Sequence, residues 1–128
     1  SAVLLIAAAI DRPLFKELLT VCEEAKVAAL VEVHDENELK TALDYEVKIM
    51  GVNSRNLQTL QVDREAHARV RPRIPKGILT VAESGIRSKE DIKCLQELGY
   101  DGVLVGEALI TSSDPALTLK TWLEEEGR

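Results

Sequence analysis

The stretch "ILTVAESGIRSKEDIKCLQELGYDGVLVGE", residues 78–107, decides the fold. Its first apolar run, 78–83, is too short for a buried helix and ends on an acid, Glu83. Ser84 and Gly85 supply a turn, and the spacing from Ser88 to Leu98 predicts a helix that Gly99 stops. A second apolar run, 101–107, then ends on Gly106 and Glu107. A strand, a helix and a second strand with no hairpin signal between them make a βαβ unit, and its two strands are parallel.

The same grammar extends in both directions. "AVLLIAA" (2–8), "AALVEV" (28–33) and "VKIMGVN" (47–53) read as strands buried on both faces. Asp11-Arg12-Pro13 opens a helix on which Leu14, Leu18, Leu19, Cys22 and Ala25 recur at helical spacing. Asp35 caps the next helix, and Glu38 completes a capping box. Asp63 is the expected cap of a helix over Arg64 to Val70, which the prolines of "RPRIPKG" end. Asp114 and Pro115 open the last helix, with Trp122 and Leu123 on its buried face and "LEEEGR" as a solvated end. "ELKTALDYEVKIMGVN" is echoed by "CLQELGYDGVLVGE", so the βα unit is a repeat.

The sequence therefore describes one domain over residues 1–128, an α/β fold of five βα units around a parallel sheet. An open doubly wound sheet and an arc of a (β/α)8 TIM barrel both fit. A complete barrel takes about 200–250 residues, so an arc would need the remaining strands from elsewhere. A chain whose first residues already lie in a strand suggests upstream barrel strands absent from this chain. The partner would be that missing N-terminal barrel half or a second copy of the chain.

Composition removes several functions. With 16 Lys and Arg against 22 Asp and Glu, the net charge of −6 argues against nucleic acid, and one Trp and one Phe provide no stacking platform. "AVLLIAAAI" is too short to span a bilayer and lacks the basic flank of a signal peptide. Cys22 and Cys94 match no metal spacing and read as reduced, half-buried residues of a cytoplasmic protein.

In parallel α/β folds the chemistry lies at the carboxyl ends of the strands. Here those ends carry Glu32; Asn53 with Ser54 and Arg55; Glu83 with Ser84 and Gly85; and Gly106 with Glu107. The two glycine turns on the last strands suit an anion such as phosphate. Glu32 and Glu83 sit on strands two apart and can face one cavity; burial would make one a proton shuttle, and a neighbouring cation would keep the other ionised. The bland alternative pairs each with a lysine or arginine. Arg55 is suited to a two-pronged contact with a carboxylate. His34 reads as packing, turned away from Glu32, and His67 as a surface residue without a role.

"ALVEVHDENEL", "GVNSRNLQTLQVD", "VAESGIRSKEDI" and "GVLVGEALITSSDP" resemble, in order and spacing, the second half of indole-3-glycerol-phosphate synthase, a (β/α)8 enzyme of tryptophan biosynthesis. "VLLIAAAI" looks like that family's fourth strand. The resemblance implies a lyase that closes an indole ring on 1-(o-carboxyphenylamino)-1-deoxyribulose 5-phosphate, with loss of CO2 and water and without cofactor or metal. It implies that Glu32 is the general base of the dehydration, that Asn53 holds substrate hydroxyl or carboxylate, and that Glu83 joins the catalytic network. Arg55 and Leu57 would cover the anthranilate end. Ser84, Gly85, Gly106 and the backbone of Glu107 would cradle the phosphate, although many members have Ser or Thr where Glu107 stands. The family's general-acid lysine belongs to the third strand, and a Glu and a phosphate-contacting Lys to the first. None of these is in this chain, so by itself it should bind phosphate weakly and turn over little. A non-catalytic, self-associating half-barrel and other phosphate-binding barrels, such as phosphoribosylanthranilate isomerase or thiazole synthase, are the competing readings.

Overall fold

The computed structural model describes residues 1–124. Its strands are β1 (Ala2–Ile6), β2 (Ala28–Val33), β3 (Ile49–Asn53), β4 (Leu79–Glu83) and β5 (Gly102–Leu104). All pair in parallel in the order β1-β2-β3-β4-β5. A doubly wound sheet reverses its order at a switch point. Strictly sequential order, with crossovers of one hand, instead keeps every helix on the same face. The fold is thus a five-stranded arc of a (β/α)8 barrel.

Register separates the two faces, because in-register partners point the same way. Leu5, Val31, Met50 and Thr80 form one row, and Val33, Val52, Ala82 and Val103 the next. Against these rows pack α1 (Arg12–Glu24) through Phe15, α2 (Glu36–Ala42) through Leu39 and Ala42, α3 (Ala66–Val70) through Val70, and α4 (Lys89–Glu97) through Leu95. The opposite face carries Leu4, Leu79 and Leu104, each about half exposed, at 45%, 55% and 53%. Nothing among the described residues covers them.

Sequence punctuation accounts for most boundaries. Asp11, Asp35, Ser88 and Asp114 each accept a backbone N–H from their helix's first turn. Gly99, at φ +92°, ends α4 in the left-handed conformation a side chain would disfavour. The repeat is structural too: Tyr45 donates its hydroxyl proton to Arg12 O, and Tyr100 donates to His67 O.

Several expectations need correction. β1 ends at Ile6, its last residue paired to β2, and Ala7–Ala9 form a 3-10 turn. β5 stops at Leu104, and Glu107–Ile110 form an unforeseen short helix, α5, before α6 (Pro115–Leu123). Asp63 does not cap α3; Glu65 occupies that place, and Asp63 instead accepts from Glu65 N and pairs with Arg69 at 2.9 Å. Glu38 does not close the box on Asp35 but accepts from His34 N at 3.1 Å. Cys22 is buried, whereas Cys94 is exposed. Leu123 is exposed and Trp122 half-buried; the end of the acidic run, residues 125–128, lies outside the described residues.

The two faces make a direct test. Met50→Ala, at a fully enclosed helix-side position, should cost the 128-residue chain about 2–5 kcal/mol. Leu79→Ala on the open face should stay within about 0.5 kcal/mol, as measured by denaturant melts.

Candidate active site

The carboxyl ends of β2 to β5 surround a hollow of about 840 Å³. Glu32, Asn53, Glu83 and Arg55 line it, as do Ser84, Gly85, Gly106 and Glu107. Of the strand-end and substrate-contact residues singled out from sequence, Leu57 and Ser54 do not line it: Leu57 is exposed on the loop after β3, and Ser54 is buried behind the rim.

Glu32 and Glu83 are almost fully enclosed, at 3% and 2% exposure. Gly51 explains how both fit. It is the β3 residue in register with Glu32, and a Cβ there would collide with the Glu83 carboxylate. The absent side chain is the space into which Glu83 folds towards Glu32. Among the described residues no lysine or arginine pairs with either acid, and neither Oε2 atom has a hydrogen-bond partner. Burial first, and then the adjacent Glu32 charge, pushes Glu83 up from 4.5 to about 8. Enclosed side by side, the two acids cannot both be ionised at neutral pH without a large electrostatic cost.

His34 corrects one expectation. It lies two residues beyond Glu32, and the strand's period of two puts both on the same face. Its Nε2 stands 3.4 Å from Glu32 Oε2, and its Nδ1 stands 3.2 Å from Glu38 Oε1.

His67 corrects a second. It is buried on α3, with Nε2 3.0 Å from Val52 O and 2.9 Å from Glu83 O, so that nitrogen carries the proton and donates to both carbonyls. Burial lowers its pKa, which keeps the ring neutral. The ring ties the end of β3 to the end of β4, beneath Asn53 and Glu83. Ser54 adds a second tie, its N–H donating to Glu83 O at 3.1 Å and its hydroxyl to Ser84 O at 3.1 Å. These bonds hold a turn in which Ser84 (φ +65°) and Gly85 (φ +72°) are both left-handed. A Cβ on Gly85 would also press on Ser54 Oγ and Val62 Cγ1, both at 3.1 Å. Alternating polarity in "REAHARV" gave no sign that His67 faces inward; only the buried positions Ala66 and Val70 around it carry that signal.

Asn53 Oδ1 accepts from Arg55 N at 2.9 Å, which fixes the root of the loop. Arg55 donates to Leu60 O at 3.1 Å and reaches across the hollow to Glu107 Oε2 at 2.9 Å. The Glu107 carboxylate is thus turned to a cation. Arg64 and Arg87 also line the hollow. Sequence reasoning passed over both, although each stands in a loop that follows a strand end.

Two carboxyls, an amide, three guanidinium groups and two glycine turns thus share one rim of a (β/α)8-barrel arc. A profile of the indole-3-glycerol phosphate synthase family matches residues 1–122. Indole-3-glycerol phosphate synthase of Parafrankia sp. (strain EAN1pec) is 52% identical over 113 residues, covering 88% of this chain and 42% of that protein. For indole-3-glycerol phosphate synthase 1 of Streptomyces coelicolor the figures are 49% identity over 113 residues, 88% and 42%. For the Mycolicibacterium gilvum synthase they are 47% over 112 residues, 88% and 41%. The chain belongs to the indole-3-glycerol phosphate synthase family and spans about two-fifths of the length of these relatives. A crystal structure of the Amycolatopsis orientalis BexX/CysO complex shares the fold, with a TM-score of 0.57 and 22% identity, over 75% of this chain and 40% of that one.

Because Glu83 is raised above its unfolded value, the neutral acid is the form that folding favours. Stability fully present below 4.5 should therefore fall as pH rises through about 8. Glu83→Gln should flatten that fall, seen as a smaller loss of melting temperature between about pH 5 and pH 9. Gly51→Ala should destabilise the chain by about 1–3 kcal/mol, since the carboxylate must vacate its place.

Proposed function

We propose that these strands supply the dehydration and phosphate-holding half of an indole-3-glycerol-phosphate synthase barrel, completed by the remaining strands or by a second copy of the chain. The substrate is 1-(o-carboxyphenylamino)-1-deoxyribulose 5-phosphate. Its ring carbon bonds to the ribulose carbonyl carbon, the ring carboxylate leaves as CO2, and the new hydroxyl leaves as water. The reading is supported above all by the enclosed pair of unequal carboxyls, Glu32 and Glu83, opening on a hollow large enough for a phosphorylated sugar.

Glu32 is the base that removes a proton in the dehydration. Glu83, neutral at working pH, can donate a hydrogen bond into the site. Asn53 offers its amide N–H groups to a substrate hydroxyl, and Arg55 meets the anthranilate carboxylate. Ser84, Gly85, Gly106 and the Glu107 N–H bind the phosphate, helped by the positive field of Arg64 and Arg87. The reaction needs no metal or cofactor on this scheme, and it belongs in the cytoplasm with other amino-acid biosynthesis. No helix among the described residues is long and apolar enough to cross a membrane.

Protonating the ribulose carbonyl falls to a lysine that the family resemblance assigns to an earlier strand. The 128-residue chain assayed by itself should therefore turn over little or nothing, and turnover at the rate of an eight-stranded synthase would refute that assignment. In an eight-stranded protein containing this sequence, Glu32→Gln should lower kcat by about 10²–10⁴-fold with little change in KM. A pure KM effect, read from indoleglycerol phosphate fluorescence, would make Glu32 a binding residue only.

A further inference from the structure

The pair of buried acids poses a question that the proposed reaction leaves open: what decides which of Glu32 and Glu83 keeps the proton? Both are enclosed, and among the described residues neither meets a lysine or arginine. The asymmetry lies behind Glu32. His34 stands between Glu32 Oε2, 3.4 Å from its Nε2, and Glu38 Oε1, 3.2 Å from its Nδ1. No hydrogen bond joins His34 Nε2 to Glu32 Oε2, so the ring can act on Glu32 only through charge, and only an imidazolium beside both carboxylates carries that charge.

The outer carboxylate is firmly placed. Glu38 Oε2 accepts from His34 N at 3.1 Å, and Glu38 N donates to Asp35 Oδ1 at 2.8 Å. Other charges around the ring are already committed. Asp35 is occupied with that cap, and Glu36 turns to Arg69 at 3.3 Å and Arg73 at 3.9 Å. The Ala7–Ala9 turn that packs on β2 and α2 brings no ionisable side chain. The groups that face His34 are thus Glu32 on β2 and Glu38 on α2, with Glu83 of β4 beyond Glu32. His34 itself does not line the hollow.

We propose that His34 is a positioning residue of the active site: held as an imidazolium by Glu38, it supplies the positive charge that keeps Glu32 a carboxylate and leaves the proton of the acid pair on Glu83. The inference rests on the reading of Glu32 as the base. It adds the division of labour between the two acids, which a positive charge 3.4 Å from one member and none beside the other is sufficient to impose.

The test uses a full-length, eight-stranded protein containing this sequence. His34→Gln keeps an amide donor near the Nε2 position but carries no charge. It should lower kcat/KM at about pH 7 by about tenfold or more and move the acidic limb of the pH profile up by about one unit, so that activity recovers at higher pH. Glu38→Gln should move the limb in the same direction by less. Independently of turnover, ¹⁵N NMR of the unmodified protein should show both His34 ring nitrogens protonated near neutral pH. An unshifted limb in His34→Gln, a loss that higher pH does not restore, or a neutral-ring NMR signature would overturn the proposal. The two ideas separate cleanly: full activity in Glu32→Gln would sink the reading of Glu32 as base, whereas an inactive Glu32→Gln beside an unshifted His34→Gln would sink only the role of His34.

Discussion

Two carboxyl groups that meet over a missing side chain set the terms for the rest of this structure. Glu32 and Glu83 come from strands with β3 between them, and they approach only because Gly51 leaves room at that level of the sheet. Once enclosed together they cannot both be charged cheaply, so one keeps its proton. The site's chemistry follows from that inequality. A parallel sheet in sequential order is a suitable frame for it, since it delivers the ends of successive strands to the same rim.

The enclosure has to be held rigidly, and the fold does so from behind. Val31, Val33, Met50, Val52, Thr80 and Ala82 are sealed between sheet and helices, which fixes the strands beneath the acids. At the rim the ties are polar. His67 and Ser54 both donate to the Glu83 carbonyl, and Tyr100 secures the helix that carries His67. A buried neutral histidine bonded to two carbonyls is costly to replace, because losing it leaves acceptors without donors in a dry place. On the opposite side of the hollow, Arg55 and Glu107 join the loops after β3 and β5 through an exposed pair, a much weaker connection.

Much of this was legible in the residues. The caps at Asp35 and Asp114, the helix starts at Asp11 and Ser88 and the stop at Gly99 located the helices, and the strand ends located the rim. Choosing between an open sheet and a barrel arc was beyond periodicity, because both use the same βα grammar; strand order decides it, and order is a tertiary fact. The histidines were misjudged for different reasons. For His34 the strand's alternation continues one step past the last paired residue and brings the ring back beside Glu32. His67 sits in a helix of five residues, too short for its inward face to show as a pattern. Gly51 looked like one glycine among several; its use depends on a side chain thirty-two positions later in the sequence, counted from 51 to 83.

Sequential strand order also bears on how such a chain can be assembled. Each new strand pairs with the one made just before it, so its docking edge already exists when it leaves the ribosome. Loop closure then spans only one βα crossover at a time, which keeps the entropic cost of each step small. Growth is vectorial, and only the leading strand of the nascent sheet waits for a neighbour on the synthesis side.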